Sequence, residues 1–428
     1  MEKEGKAARR RRTVRRRERK GALVASARAR EILGYLRRFG VLSRSDLAER
    51  MDLSGVSIGT TVRELLKEGW VEEAGEGRSS GGRRPVLLRL RGENGYIIGL
   101  DVGSENLRGV VTDLNGEIRA EFWQETESWQ GREVVFGRMV GAAKELMERA
   151  GIGEDRLLGI GLGFSGMIDA EEGICLVAPN LPGWQGVAVA KELGAALGKE
   201  VKMDDSSRLK LLAERQLLWP AEMGSTFLLD LGCGIGGAFW VGGKIHRGLT
   251  GTAGELGHVV MEPEGPLCHC GSRGCLEALA AGPAIAAQAR EGLRQGVMSL
   301  LRDLVKGELD RLTAETVVEA ARRGDKFAFG LIEAAGSYIG SALAKVLNLL
   351  NPTQVILAGG LAKMGDLLLA PLVRTLRSQS LPMAYEKVKI SLSQAGDMAA
   401  ARGAALFYLD HFFADFTLKT AAVWPEAE

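Results

Sequence analysis

Between residues 25 and 39 the apolar side chains Ala29, Ile32, Leu33 and Leu36 recur at intervals of three and four. That is the spacing of one buried helical face, so a first helix is predicted here. Gly40 ends it, Ser43 is placed to cap a second short helix carrying Leu47 and Ala48, and Asp52-Leu53-Ser54 turns the chain into a third. Ile58, Val62, Leu65 and Leu66 mark the buried stripe of the third helix. Gly59 within it costs about 1 kcal/mol relative to alanine. After Gly69 the segment WVEEAGEGRSSGGRRPVLLRL reads as two strands around a Gly/Ser/Arg loop. Three helices followed by such a hairpin predict a winged helix-turn-helix.

A polar junction at residues 91–94 precedes YIIGLDVGSENLRGVVTDLNGEI, which reads as strand, turn, strand, turn, strand. Onward from there, the strand-like runs LLGIGLGF, EVKMD, TFLLDLG and QVILAGG alternate with amphipathic helices, the pattern of a layered α/β fold. The expected organisation is therefore a basic arm over residues 1–20, a winged helix-turn-helix over 21–92, and a two-lobed α/β region over 93–428. A chain of 428 residues exceeds what one core usually serves, which agrees with such a division. The final segment, FFADFTLKTAAVWPEAE, is amphipathic and has no assigned role.

Charge sharpens this picture. Residues 1–92 carry 24 Lys/Arg against 12 Asp/Glu, a net +12, whereas the remaining residues carry 32 against 42, a net −10. The N-terminal fifth is thus suited to a polyanion. In a winged helix-turn-helix the third helix enters the major groove while wing cations hold phosphates. Here Ser57, Thr60 and Thr61 offer short side chains for bases, beside the acidic Glu64. Arg63, Lys67, Arg78, Arg83 and Arg84 offer phosphate contacts. Operator DNA is the expected partner, with strong backbone affinity and weak base readout. A winged helix used for protein contacts is the alternative. Mean hydropathy is near zero, no uninterrupted apolar run reaches membrane-spanning length, and the opening segment has no signal-peptide apolar stretch. A cytoplasmic location without membrane contact is expected.

Candidate chemistry concentrates in GHVVMEPEGPLCHCGSRGCLE, residues 257–277, which places His258, Cys268, Cys270 and Cys275 together in a chain with five cysteines and four histidines. Three thiolates and one imidazole are the ligands of a tetrahedral Zn²⁺ site. With all four positions filled, none remains for an activated water, so the expected role is structural. Cys175 and Cys233 lack such neighbours and read as unrelated reduced cysteines.

Three glycine turns follow strands: Asp101-Val102-Gly103, GCGIGG at 232–237 with Gly232, Gly234 and Gly236, and AGGLA at 358–362 with Gly359 and Gly360. Each alone is more often a plain turn than a nucleotide cradle. Their order, combined with the cysteine stretch and the wing, is specific. With SSGGRRP, IGLDVG, APNLPGW, GTAGELGH, CHCGSRGCLE and LNPTQVILAGGLA, the chain resembles the ROK family (repressor, open reading frame, kinase), in particular its transcriptional regulators. The resemblance covers about residues 25–409. It implies an actin-like or sugar-kinase-like pair of α/β lobes around a hexose-sized pocket, and regulators that act as homodimers or homotetramers.

Carried over by motif, the resemblance assigns sugar contacts to Gly166, Asn180, Asp205, Glu255, His258 and Glu277. Carboxylates and an amide on fixed turns can read sugar hydroxyls, which both donate and accept. Read without the family, Asn180 is turn chemistry and Asp204 or Asp205 is a cap for the helix near Ser207. In the family's kinases the residue matching Asp205 is the catalytic base. The kinase pattern Asp-x-Gly-Gly-Thr-Lys, however, reads here Asp101-Val102-Gly103-Ser104-Glu105-Asn106, with Cys233 where a threonine is usual and Ser207 where an asparagine is usual. An anion where phosphoryl transfer needs cations argues against ATP use.

The expected function is a sugar-responsive transcriptional regulator, a repressor of carbohydrate uptake or catabolism genes whose operator affinity responds to a sugar or sugar phosphate. An ATP-dependent hexose kinase that also binds DNA is the alternative. A protein adaptor that binds neither is the third reading.

Overall fold

A computed structural model describes residues 26–77, 84–218 and 224–414. The basic arm, Arg78, Arg83 and the last fourteen residues lie outside them.

Helix α1 (Ala27–Phe39) buries Ala29, Ile32, Leu33 and Leu36, the stripe its periodicity marks. Each fully buried Ile or Leu contributes roughly 1.5–3 kcal/mol. A short strand β1 (Val41–Ser43) leads into α2 (Arg44–Arg50), where Ser43 accepts from the Asp46 amide and the Asp46 carboxylate accepts from the Ser43 amide, a capping box. Helix α3 (Gly55–Glu68) is capped by Ser54, whose hydroxyl accepts from the Ser57 amide, and ends at Gly69 in the left-handed region. Strands β2 (Val71–Glu76) and β3 (Val86–Leu90) form the expected hairpin. Strand β1, which sequence periodicity did not mark, pairs with the other side of β3.

The rest of the chain builds two sheets of the same design. In the first lobe β4 (Tyr96–Val102) is central, β5 (Asn106–Asp113) and β6 (Ile118–Glu125) follow antiparallel on one side, and β7 (Leu157–Phe164) and β10 (Val201–Asp205) lie parallel on the other. Helix α4 (Arg132–Ala150), the small ribbon of β8 (Met167–Asp169) and β9 (Ile174–Val177), and α5 (Val189–Leu197) fill the connections. After α6 (Ser206–Leu218) the second lobe repeats the plan. Its β11 (Thr226–Leu231) is central, with β12 (Ile235–Val241) and β13 (Lys244–His246) antiparallel on one side and, later, β14 (Gln354–Ala358) and β15 (Lys389–Leu392) parallel on the other. Such a duplicated sheet is the layout of the actin-like and sugar-kinase-like folds expected from the sequence.

The second lobe's helices include α7 (Leu276–Ala280), α8 (Gly282–Arg294), α9 (Leu301–Leu304), α10 (Ala314–Arg322), α11 (Lys326–Leu350), α12 (Asp366–Gln379) and α13 (Pro382–Lys387). Helix α11 is long and apolar enough to cross a membrane, yet Ile332, Ile339, Leu343 and Leu347 along it are buried in this lobe's core. The closing helix α14 (Ala399–Ala414) returns to the first lobe and lies directly on β4 and β7. A Cβ on Gly99 would stand 2.0 Å from the Ala401 carbonyl oxygen, and one on Gly161 1.8 Å from that of Ala404. Only glycine permits this approach. The outer face of α14 completes the N-terminal core: Ile32, Leu33 and Leu36 share one buried cluster with Leu406, Leu409 and Phe413.

Candidate functional site

The carboxyl ends of β4, β10, β11 and β14 meet at a cleft of about 860 Å³ between the lobes. Ligand crevices form at such strand ends in open α/β sheets. The cleft brings together all the sugar contacts expected from sequence, Gly166, Asn180, Asp205, Glu255, His258 and Glu277, and the glycine turns with Asp101, Gly103, Gly232, Gly234, Gly236, Gly359 and Gly360.

Asp205 stands at the start of α6 and is the helix cap that its position predicts. One carboxylate oxygen accepts from the amides of Ser207 (2.9 Å) and Arg208 (3.2 Å) and caps α6, while the residue lines the cleft. Burial foremost, aided by the Glu255 and Asp204 carboxylates and opposed by Arg208, pushes its carboxyl up to about 7. Burial, with Glu277 adding to it and Arg208 opposing, also raises Glu255. The fully buried Asp204 beside them is held by Arg208 at 2.7 Å and by Arg247. Sequence reading missed this pair. The Arg208 spacing, four residues after Asp204, is a signal in principle, whereas Arg247 is distant in sequence.

Glu277 accepts from the Ile235 amide at 2.8 Å, which ties α7 to the start of β12. Gly236 and the adjacent Gly237 belong to that strand, not to a loop, and Gly232 closes the turn by donating to the Gly234 carbonyl at 2.9 Å. Gly166 has φ of +149°, and a Cβ there would stand 2.4 Å from the Val177 carbonyl oxygen. Chain packing thus requires a glycine at a position that also lines the cleft.

Beside Asp205 in the same cleft, Ser206 donates to Asp101 at 2.6 Å, and Lys210, also missed from sequence, pairs with Asp230. Burial raises Asp101 against the pull of Lys210 and of that hydroxyl. Although burial opposes its charge, Asp230 and Asp101 hold the Lys210 ammonium above its ordinary range. Lys363 is likewise paired, with Asp397 at 2.6 Å. Glu105, Asn106 and Arg108 line the cleft there as well, and four carboxylates (Asp101, Glu105, Asp230 and Asp397) outnumber three cations (Arg108, Lys210 and Lys363), the reverse of a phosphate cradle.

His258, Cys268, Cys270 and Cys275 place one donor atom each within 4.8 Å of all the others. The Nδ1 atom of His258 lies 3.7 Å from the Cys268 sulfur, and the sulfurs of Cys270 and Cys275 are 3.6 Å apart. Tight turns create this: the Cys268 amide donates to Ser272, the Gly271 amide returns to Cys268, and Gly274 (φ +64°) leaves no room for a side chain against the Glu262 carbonyl. The group could hold a metal ion. The other imidazole nitrogen of His258, Nε2, lies 3.9 Å from the Glu255 carboxylate, so cluster and cleft share one histidine.

This order of elements is matched by the ROK family model over residues 97–411. The chain belongs to the ROK family. It is 29% identical over 366 residues to the xylose repressor of Caldicellulosiruptor bescii, covering 85% of this chain and 90% of that protein. Glucokinase of Thermotoga maritima is 32% identical over 309 residues, covering 72% of this chain and 96% of that enzyme. Among solved structures, a ROK family transcriptional regulator that is a homolog of E. coli MLC protein matches at 26% identity with a TM-score of 0.73, over 92% of this chain and 98% of that one. The ROK fold thus accounts for both lobes and the cleft between them.

Of the side chains expected to meet DNA, Thr60, Arg63, Lys67 and Arg84 are exposed and Ser57 is partly so. Thr61 is a correction. It is buried beside Ile58, Val62 and Leu65, because its position falls on the inner face of α3.

Proposed function

We propose that this ROK protein is a sugar-responsive transcriptional regulator, a repressor of carbohydrate uptake or catabolism genes, in which residues 21–92 are a winged helix-turn-helix that binds operator DNA. The observation that carries this reading is a carboxylate-rich polar cleft and a basic three-helix module joined through one buried cluster in a single chain. Asn180, Asp205, Glu255, His258 and Glu277 hydrogen-bond the hydroxyls of the effector, a sugar or sugar phosphate. Thr60, Arg63, Lys67 and Arg84, with the basic arm, supply the DNA contacts, and the outward faces of α3 and the wing present them. The xylose repressor and the MLC homolog, named as a repressor and a transcriptional regulator, support this reading.

Zinc suits the cysteine and histidine cluster. A tetrahedral site with Zn–S near 2.3 Å needs sulfurs about 3.8 Å apart, close to the 3.6 Å of Cys270 and Cys275. His258 and the three cysteines would hold the ion, which supplies crosslinking of two loops and fixes the His258 ring beside Glu255. The working form is a cytoplasmic homodimer or homotetramer. An effector changes operator affinity only through different affinities for two arrangements of the DNA modules, and a tenfold coupling corresponds to about 1.4 kcal/mol.

A hexose kinase is the second reading. The carboxyl of Asp205, raised to about 7, suits a base near neutral pH, and the glucokinase relative supports it. Glu105, Asn106 and the neutralised Lys210 oppose it. ATP consumption over a hexose panel, with Asp205→Ala as control, separates the two: turnover lost in the variant establishes the kinase, and its absence together with sugar-dependent DNA affinity establishes the regulator.

A further inference from the structure

Helix α6 begins at the cleft, where Asp205 caps it and Ser206 holds Asp101. About 15 Å along it, at 1.5 Å per residue, Arg215 donates to one oxygen of Asp410 on α14 at 3.0 Å. The other Asp410 oxygen accepts from Arg37 on α1 at 2.9 Å. One carboxylate therefore joins the helix that starts at the proposed sugar site to the first helix of the proposed DNA module. Although its partial burial opposes ionisation, Arg215 and Arg37 hold its carboxyl below the ordinary range.

The second lobe reaches the same point. The Arg215 guanidinium stacks over Trp240 of β12 at 5.1 Å, and β12 begins at Ile235, whose amide is bound by Glu277. Packing allows little slack: a Cβ on Gly403 of α14 would stand 1.8 Å from the Leu209 carbonyl of α6. Arg37 also lies over the Phe413 ring of α14 at 5.7 Å.

We propose that Asp410 is a positioning residue that transmits the state of the cleft to the DNA module, by holding Arg215 of α6 and Arg37 of α1 on its two oxygens. Movement of α6 or β12 when Asp205 or Glu277 engages a sugar shifts Arg215, and the shared carboxylate carries that shift to α1. The proposal rests on the regulator reading given above.

The test uses the full-length chain and a DNA duplex it selects from a random pool. Its affinity is measured without sugar and with whichever of D-glucose, D-xylose, D-mannose and N-acetylglucosamine moves the wild type most. In Asp410→Asn and in Arg37→Gln, which leaves the Asp410–Arg215 pair intact, the ratio of the two affinities is expected to fall to near one, while the affinity for the sugar itself stays close to wild type. Asp410→Glu should restore much of the ratio. A wild-type ratio in both Asp410→Asn and Arg37→Gln, or equal weakening with and without sugar, overturns the relay alone. A wild type whose DNA affinity no sugar moves overturns the regulator reading and the relay with it.

Discussion

Replacing Asp205 with asparagine gives a sign and a size that follow from the cleft. In the folded chain, burial pushes this carboxyl from an ordinary 3.8 up to about 7. Between those values the unfolded chain has lost the proton while the folded chain keeps it. Stability is therefore full below pH 4 and falls as pH rises towards 7. A shift of about three units corresponds to ~4 kcal/mol at most. Asparagine has no charge to desolvate and remains a good helix cap. Asp205→Asn should thus melt above wild type at pH 8 and close to it at pH 4, as followed by circular dichroism. A sugar whose hydroxyl donates to the ionised carboxylate faces the same proton. With half-ionisation near pH 7, the reactive fraction rises about tenfold from pH 6 to pH 8, and so should the affinity measured by calorimetry. The variant should bind weakly and with a shallower slope, the remainder belonging to Glu255, whose carboxyl burial also raises. Identical melting profiles for the two chains across this range, or a pH slope as steep in the variant as in the wild type, would refute the reasoning.

Other consequences are as direct. Cys268→Ser should lose both bound zinc, measured by elemental analysis, and the sugar response, while its winged helix still binds DNA; a variant without zinc that responds normally breaks the link through His258. Gly161→Ala sets a methyl 1.8 Å from the Ala404 carbonyl and should cost roughly 3 kcal/mol or more in urea unfolding, because backbone has to move; a cost under about 1 kcal/mol would mean α14 is free to shift. Lys67→Ala and Arg84→Ala should each weaken DNA binding on all sequences and reduce the salt slope by about one, whereas Thr61→Val, at a buried position, should leave DNA affinity unchanged.

What the sequence made legible was what is local. The stripe of α1, the Ser43 cap and the glycine stop at position 69 depend on neighbours within one or two turns, and periodicity and capping chemistry report those directly. The cysteine cluster was equally readable, since its last three ligands are close enough to fold on their own turns. Thr61 was misplaced because a face estimated from a few apolar residues has soft edges, and a threonine fits either side. The Asp204 cage and the Asp410 bridge were invisible for a different reason. Arg247 lies 43 residues from Asp204, and Arg37 lies 373 residues from Asp410, so nothing in local spacing couples them. Gly99, Gly161 and Gly403 carry no local signal of their role, because the close approach that requires them exists only once α14 has packed on the first lobe and on α6.

The central claim is that a sugar in the cleft controls affinity for DNA. Fluorescence anisotropy of the full-length chain on its selected duplex, with and without each sugar and its 6-phosphate, tests it most directly. At least one ligand should change the Kd about tenfold or more, with Asp205→Ala abolishing that change while leaving ligand-free binding intact. Calorimetric binding of a sugar with no change in DNA affinity for any of them would contradict the account.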